Sequence, residues 1–188
     1  MGKIRQPTDV KLFVGILISV PELLPQVEAR LVEQFGEIDL RSGPYPFDST
    51  HYYDSEMGSS IQRFFLAFTD LIQPATLADI KVTTNEIESS LAQTVTTVRR
   101  PVNLDPGYLE QAKLVLASTK NFYHRILLAK GIYAEITQHF ENGTWQNFPW
   151  TFPDFRAGRY NEFFLLMRDR YRAQLRSTCV LASSRPSN

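Results

Sequence analysis

His124 and Glu135 lie in two neighbouring strand-forming tracts, on either side of Lys130-Gly131, a pair that is typical of tight turns. Successive side chains of a strand point to opposite faces, so a two-residue turn places His124 and Glu135 on the same face. A carboxylate can hold an imidazole in one tautomer and raise its basicity, which predicts general acid–base chemistry. A three-residue turn would bring Arg125 there instead, and a solvated sheet face is the alternative interpretation.

The same parity argument predicts the other residues of that face, if an even-length turn also joins the strands around Asn121-Phe122. Lys113 and Thr119 then lie beside His124 and Glu135. The opposite face is predicted to be the core side, and it carries Leu114, Leu116, Leu127, Ile132, Ala134 and Ile136.

Ser118-Thr119-Lys120, together with Arg125, predicts an anion site at the end of a strand. Hydroxyl, ammonium and guanidinium groups bind phosphate oxygens, and Lys113 is a further candidate cation. Polar residues of this kind are also what a hairpin turn requires. No glycine-rich Walker sequence accompanies them.

The tract from Asn103 to Tyr108 has two interpretations. Asp105-Pro106-Gly107 is typical of a turn, in which Asp bonds the backbone and Pro restricts φ. Alternatively, Asp105 and Tyr108 contact a ligand, and Asp105 orients a hydroxyl group or a metal ion. Mg²⁺ favours carboxylate oxygens, and the acidic residues that could join Asp105 around it are Asp48, Asp54, Glu56, Glu135 and Asp154.

Other catalytic classes lack their motifs. The chain has no histidine spacing that suits zinc and no Gly-x-Ser-x-Gly elbow of a hydrolase. Its single cysteine, Cys179, excludes an internal disulfide and a cysteine metal cluster. No metal site is therefore assigned, and the need for any cofactor, Mg²⁺ included, is left open.

The elements that would carry these residues alternate in the first half as strand, helix, strand, strand, helix. A buried strand is predicted at residues 11–19, and a helix at 22–35 that ends at Gly36. A strand or extended segment at 48–56, a strand at 62–69 and a helix after Pro74 follow. With a sixth strand at 101–104, this order predicts a ferredoxin-like split βαβ unit.

The second half reads as an antiparallel β-meander, with strands at residues 113–119, 123–128 and 131–140. Residues 145–155 are predicted to form an ordered loop, and a C-terminal helix carries an apolar face from Tyr160 to Leu175. The predicted fold class is thus α+β, with a single domain at residues 1–176 and a flexible tail at 177–188.

The composition restricts the partners. The chain has 188 residues and a formal net charge of zero, which argues against nonspecific nucleic-acid binding. The apolar run from Leu12 to Val20 is too short to cross a membrane, and no cleavage site follows it. A cytoplasmic protein without a membrane partner is the prediction, and the oligomeric state is not predicted.

The chain resembles a prokaryotic family catalogued as domain of unknown function number 4416. The resemblance extends from about Lys11 to Tyr171 and includes Lys11-Leu12-Phe13-Val14-Gly15, Tyr52-Tyr53 through Glu56-Met57-Gly58, Ile80-Lys81, Thr84-Asn85, Asn103-Leu104-Asp105-Pro106-Gly107-Tyr108, Leu116-Ala117-Ser118-Thr119-Lys120, His124-Arg125, Gly131-Ile132-Tyr133-Ala134-Glu135 and Trp150-Thr151-Phe152-Pro153-Asp154. Some members of that family are labelled GTP-binding, so GTP is the ligand that the resemblance implies.

Together these features predict a protein that binds a small phosphorylated ligand or nucleotide. The anion would be held by Lys113, Lys120 and Arg125, and His124 and Glu135 would supply acid–base chemistry. Two alternatives are open: a noncatalytic interaction module that uses the 145–155 loop, and a specific RNA-binding protein that uses the Lys120/Arg125 end and exposed aromatic residues.

Overall fold

The computed structural model describes residues 2–50, 52–58 and 60–183. In this part of the chain one sheet has the strands β1 (Val10–Ile18), β2 (Ile38–Arg41), β3 (Tyr45–Pro46), β4 (Gln62–Ile72), β5 (Val102–Glu110), β6 (Lys113–Ser118), β7 (Ile126–Ala129), β8 (Ile132–Glu141) and β9 (Thr144–Asn147). Their spatial order is β2-β4-β1-β5-β6-β8-β7, while β3 pairs with β4 and β9 with β8. All these pairs are antiparallel.

The helices are α1 (Leu24–Phe35), α2 (Asp54–Met57), α3 (Leu77–Ala92), α4 (Pro153–Arg156) and α5 (Asn161–Ser183). Short 3-10 turns that begin at Pro21 and Pro74 lead into α1 and α3. Proline suits these positions because the first N–H groups of a helix have no intrahelical partner. Helix α1 ends at Gly36, whose φ of +84° favours glycine.

Helices cover both faces of the sheet. Alternation along β1 directs Leu12, Val14 and Ile16 toward α1 and α3, and Phe13 toward α5. All nine residues of β1 are buried, which confirms the predicted buried strand. The predicted mixture of helices with an antiparallel sheet is likewise confirmed.

Three local predictions are wrong. None of the described residues between 48 and 56 lies in a strand, and Asp54–Met57 is a helical turn. The tract around Asp105 is not a turn, because the whole of it lies in β5, paired with β1. Part of the predicted 145–155 loop is strand β9, which forms a hairpin with β8 through Asn142 and Gly143.

The predicted meander order is also wrong. Strand β6 pairs with β8, and β7 lies outside β8 at the edge of the sheet. Residues 119–125 connect β6 to β7 over the intervening β8, which a tight turn could not do.

Helix α5 continues to Ser183, into the segment predicted as a tail, and residues 184–188 lie outside the described part. None of the described helices combines the length and apolar character needed to cross a membrane.

Candidate functional site

A cleft opens where β5 and β6 separate. The two strands pair only between residues 107–110 and 113–116, although β5 stays paired with β1 as far as Val102. Beyond this point β6 follows β8 and β5 follows β1. The cleft encloses about 390 Å³, a volume that suits a small molecule. Its apolar wall is formed by Phe47, Tyr53, Leu116, Phe152 and Phe155.

Arg63 of β4 lies at the floor of the cleft. Its Nη1 is 3.4 Å from Asp105 Oδ2, and its Nη2 is 3.2 Å from Asp154 Oδ2. Tyr160 donates a further hydrogen bond of 3.1 Å to the same Asp154 oxygen. Burial opposes the guanidinium charge, but the Asp154 and Asp105 carboxylates outweigh it and raise the pKa of Arg63.

Gly15 of β1 leaves the space that Arg63 occupies. A Cβ atom at position 15 would lie 3.0 Å from Arg63 Nη1 and 3.2 Å from Phe65 Cε1. Gly15 is also the β1 partner of Asp105. Any side chain at position 15 would therefore displace the guanidinium that holds this carboxylate.

Side chains of helix α3 supply hydrogen-bond partners to the backbone of β5 in the part of that strand that is no longer paired with β6. Lys81 Nζ donates to the Leu104 carbonyl (2.6 Å), and the Leu104 N–H donates to Glu88 Oε1 (2.8 Å). Lys81 Nζ also lies 3.9 Å from Asp105 Oδ1. Alternate residues of a strand present their N–H groups to the same neighbour, and Pro106, two residues on, has none. The ladder with β6 therefore ends at Pro106.

Arg100 links α2, α3 and β5. Its Nη2 is 2.8 Å from Glu88 Oε2, and its Nη1 is 3.6 Å from Glu56 Oε2. Arg100 also bonds the side-chain oxygen of Asn103, whose Nδ2 donates to Asp105 Oδ2 at 2.7 Å. Oδ2 of Asp105 is thus held by Asn103 as well as by the floor guanidinium.

The basic mouth of the cleft is formed by Ser118, Thr119, Lys120 and Arg125. Lys120 Nζ lies 4.4 Å from the centre of the Tyr52 ring and bonds its phenol oxygen. No carboxylate among the described residues forms an ion pair with Lys120. Ser118 Oγ accepts the Lys120 N–H (3.1 Å), and Arg125 Nη1 donates to the Lys120 carbonyl (3.0 Å).

His124 contacts Glu135 as predicted, with 3.0 Å between Nε2 and Oε2. Arg125 Nε donates to the same Oε2 at 2.8 Å, and Thr137 donates to Oε1 at 3.2 Å. The His124 ring stacks on Trp150, with centroids 5.3 Å apart and planes 10° apart. Glu135 lines the cleft, whereas His124 does not. The acid–base role of the pair stays a prediction.

Turn geometry explains why both His124 and Arg125 reach Glu135. Lys130 and Gly131, with φ of +54° and +74°, form the expected two-residue turn. A bulge in β7 then offsets its register with β8 by one residue. Arg125 therefore lies across from Glu135, and His124 reaches the same carboxylate from the preceding loop.

The predicted composition of the two faces is wrong for β6. Leu116 pairs directly with Glu135, so Leu116 shares its face, and Lys113 and Thr119 do not. The face with Leu116 packs against α5, and Val115 packs against α3 on the other face, so both faces of β6 are core. Of the predicted core residues, Leu127 and Ile136 are 58% and 43% exposed.

The cleft brings together six of the nine predicted site residues: Asp105, Ser118, Thr119, Lys120, Arg125 and Glu135. Lys113 lies elsewhere, paired with Glu110 at 2.7 Å beside the β5–β6 turn. Tyr108 packs with the cluster around Val115 under α3. Neither residue lines this cleft, because the cleft begins only where β5 and β6 part.

Sequence reasoning missed Arg63, Lys81, Asn85, Arg100 and Asn103, which all line the cleft. The sequence positions of two of them indicate burial. Arg63 lies on the same face of an apolar strand as Phe65, and Lys81 lies on the apolar stripe of its helix. A charged residue at such a position is buried and needs a partner.

Tyr53 supplies a neutral phenol to the cleft wall. Burial, with a smaller effect from the Asp105 carboxylate, raises the pKa of Tyr53 to about 12. Its hydroxyl therefore keeps its proton at neutral pH and can donate a hydrogen bond.

Acidic residues do not gather into a metal-binding group in the described part of the chain, where no three His, Cys, Asp or Glu residues lie close enough. Of the residues suggested for Mg²⁺, Asp105 and Asp154 contact Arg63, and Asp48 pairs with Arg159 at 2.6 Å.

The fold and the cleft define a mixed α/β protein with a central antiparallel sheet and one site where that sheet divides. The chain belongs to the family described as "Domain of unknown function (DUF4416)", whose model matches residues 8–171, in agreement with the resemblance in the sequence. No curated protein and no solved structure matches it.

Proposed function

We propose that the cleft between β5 and β6 binds a small phosphorylated ligand or nucleotide, with GTP as one candidate. The observation that carries this proposal is the basic mouth, where two hydroxyls and two cations open into a cavity of about 390 Å³. Hydroxyl, ammonium and guanidinium groups are the usual phosphate ligands of proteins.

The electrostatics of the mouth support an anion there. Lys120 bonds the Tyr52 phenol but has no acidic partner among the described residues. Arg125 donates Nε to Glu135, whereas its Nη1 donates only to a backbone carbonyl. Both cations thus retain capacity for an incoming anion, unlike Arg63, which is held between two carboxylates.

The apolar wall supports a ligand that is larger than phosphate. Phe47, Phe152 and Phe155 would contact an organic moiety, and Tyr53 would contribute a hydrogen bond from its phenol. Small-molecule sites generally combine apolar walls with a few polar groups that orient the ligand.

Acid–base chemistry, if the ligand is a substrate, would act through Glu135. This residue lines the cleft, whereas His124 does not and shares the Glu135 Oε2 with Arg125. His124 would then position Glu135 rather than meet the substrate.

A thermal-shift panel of nucleotides and phosphorylated metabolites tests the binding proposal. A ligand that binds the folded state raises the melting temperature in proportion to RT ln(1 + [L]/Kd). We expect at least one phosphorylated compound to do so, and Lys120→Ala to reduce the shift, as an about tenfold loss of affinity requires. Lys113→Ala is the matched control, because this predicted cation lies outside the cleft. Equal loss in both variants would contradict the assignment.

Exposed apolar residues on the β7 edge favour a second candidate, a protein-interaction module. Ile126 and Leu127 are 74% and 58% exposed, and Phe122 and Tyr123 stand beside them. This surface differs from the predicted 145–155 loop. Co-purification of a stoichiometric protein, with no shift across the whole ligand panel, would favour it. Salt-sensitive binding of single strands would instead favour the RNA alternative.

We also propose that the first half adopts a ferredoxin-like fold and that the protein is cytoplasmic. The spatial order β2-β4-β1-β5, with α1 and α3 on one face, supports a ferredoxin-like split βαβ unit in the first half. A cytoplasmic location agrees with a small phosphorylated ligand. Fractionation of the native host tests the location, and recovery in an exported fraction would contradict it.

A further inference from the structure

The cleft contains a second polar group, away from its basic mouth, at Asp105. Oδ2 of Asp105 is held by Asn103 and Arg63. Oδ1 accepts no hydrogen bond from any described residue, and Lys81 Nζ is 3.9 Å away. The Asp105 side chain is 27% exposed, so this oxygen is available to a donor in the cleft.

Asn85 is related to this acceptor through Lys81, whose Nζ lies 3.9 Å from Asp105 Oδ1. It follows Lys81 by one turn of α3, so the two side chains share a helix face, and both line the cleft. The Asn85 side chain makes no hydrogen bond to the described residues. Its amide offers both a donor and an acceptor.

Charge restricts the group that can bind here. The three cations here are already balanced by carboxylates, because Arg63 pairs with Asp105 and Asp154, and Lys81 and Arg100 pair with Glu88. The surrounding charge therefore favours neither an ammonium nor a second anion. A neutral hydroxyl fits this balance, because it can donate to Asp105 Oδ1 and accept from the Asn85 amide. Hydroxyls on adjacent carbons would use both residues at once.

We infer that Asp105 and Asn85 form a hydroxyl-binding subsite, and that the ligand is a sugar phosphate, free or as part of a nucleotide. This inference rests on the proposed function, because it places the phosphate at Lys120 and Arg125. The hydrogen bonds from Asn103 and Arg63 would then orient Asp105 toward the sugar.

Calorimetric titration with three probes tests the subsite: ribose 5-phosphate, 2-deoxyribose 5-phosphate and inorganic phosphate. Ribose 5-phosphate is expected to bind about tenfold more tightly than 2-deoxyribose 5-phosphate, because a hydrogen bond to a charged group is lost in the latter. Inorganic phosphate should bind most weakly. Titration with GMP distinguishes a nucleotide ligand from a free sugar phosphate. If GMP binds more tightly than ribose 5-phosphate, the ligand is a nucleotide, and if the two bind equally, it is a free sugar phosphate.

Two variants separate the subsite from the anion site. Asp105→Asn should bring the affinities for ribose and deoxyribose 5-phosphate to within about twofold, with affinity for inorganic phosphate unchanged. Asn85→Ala should reduce the ratio of the ribose 5-phosphate affinity to the 2-deoxyribose 5-phosphate affinity about threefold. The Asn85 side chain makes no hydrogen bond to the described residues, so this variant provides the test if Asp105→Asn fails to fold. Both estimates follow from the loss of one hydrogen bond.

The outcomes are distinct. Equal affinity of the wild-type protein for all three probes would overturn the hydroxyl subsite and leave the phosphate site standing. Unchanged discrimination in Asn85→Ala and Asp105→Asn would also overturn it. If no phosphate-bearing compound binds at all, the proposed function fails and the subsite fails with it.

Discussion

Lys11 and Lys120 are both lysines beside the same sheet, yet their surroundings differ in one instructive respect. Lys11 is fully buried, and its Nζ contacts Asp39 (2.7 Å), the Phe68 carbonyl (2.7 Å) and Gln174 (3.0 Å). Burial lowers the pKa of Lys11, against the opposing effect of Asp39. Lys120 is exposed and contacts Tyr52 alone through its ammonium group.

The number of partners distinguishes Lys11, whose charge is used within the fold, from Lys120, whose charge could bind a ligand. An ammonium group has three donors, and the protein itself satisfies all three at Lys11. At Lys120 most of this capacity is left to solvent or to a ligand. A buried charge with a complete set of partners supports the fold, whereas an open charge at a cavity mouth is free to bind.

Arg63→Met should have the largest effect on stability, because it would leave Asp105 and Asp154 without their shared cation. Breaking a buried ion pair by removing one partner costs about 4 kcal/mol. Urea unfolding, monitored by circular dichroism, would measure the loss. A loss below about 1 kcal/mol would show that these carboxylates do not depend on Arg63, as is usual for exposed pairs.

Lys11→Met should destabilise the protein by somewhat less, about 3 kcal/mol, since Asp39 keeps partial access to water. Ligand binding should be unaffected, because Lys11 does not line the cleft. Denaturant unfolding and titration with a ligand from the panel would measure both properties. Loss of affinity with intact folding would break the distinction between Lys11 and Lys120.

The buried strand β1 and the apolar face of α3 were largely predictable, because the spacing of apolar residues in the sequence indicates which side chains are buried. Alternation in β1 and the stripe of α3 follow directly from apolar spacing. The two-residue turn at Lys130-Gly131 was predictable as well, but the β7 bulge was not, and His124 therefore reaches Glu135 from the preceding loop rather than by strand parity.

The cleft itself was not predictable, because it depends on long-range pairing. No local pattern indicates that β8 inserts between β6 and β7, and Pro106 alone does not show which neighbouring strand β5 leaves. Arg63 reaches Asp105 only because Gly15 of a third strand leaves room. Such juxtapositions are set by strand order, which a single sequence specifies weakly.

Alkaline pH should weaken a packed tyrosine contact in α5. Burial raises the pKa of Tyr171 to about 12, so the folded state keeps this proton after an unfolded tyrosine loses it near pH 10. Its contribution to stability is complete below pH 10 and is lost as pH rises toward 12. Urea unfolding of the wild type and Tyr171→Phe should show a stability difference that shrinks over this range. A constant difference would contradict the raised pKa.

Lys120→Ala should have the smallest effect on stability, within about 0.5 kcal/mol, because an exposed side chain is removed. Affinity for the phosphorylated ligand should nevertheless fall about tenfold, because a charge-assisted hydrogen bond is lost. Parallel unfolding and binding measurements on Lys120→Ala and Lys113→Ala would resolve the two properties. A stability loss comparable to that of Lys11→Met would place Lys120 among the structural charges.

Backbone amide NMR during titration with a phosphorylated compound tests the central claim most directly. The predicted result is a saturable shift of the Ser118, Thr119, Lys120 and Arg125 amides, accompanied by Asp105, with the Lys113 amide unchanged. Shifts confined to the β7 edge, or no shift with any compound of the panel, would contradict a phosphate site in the cleft.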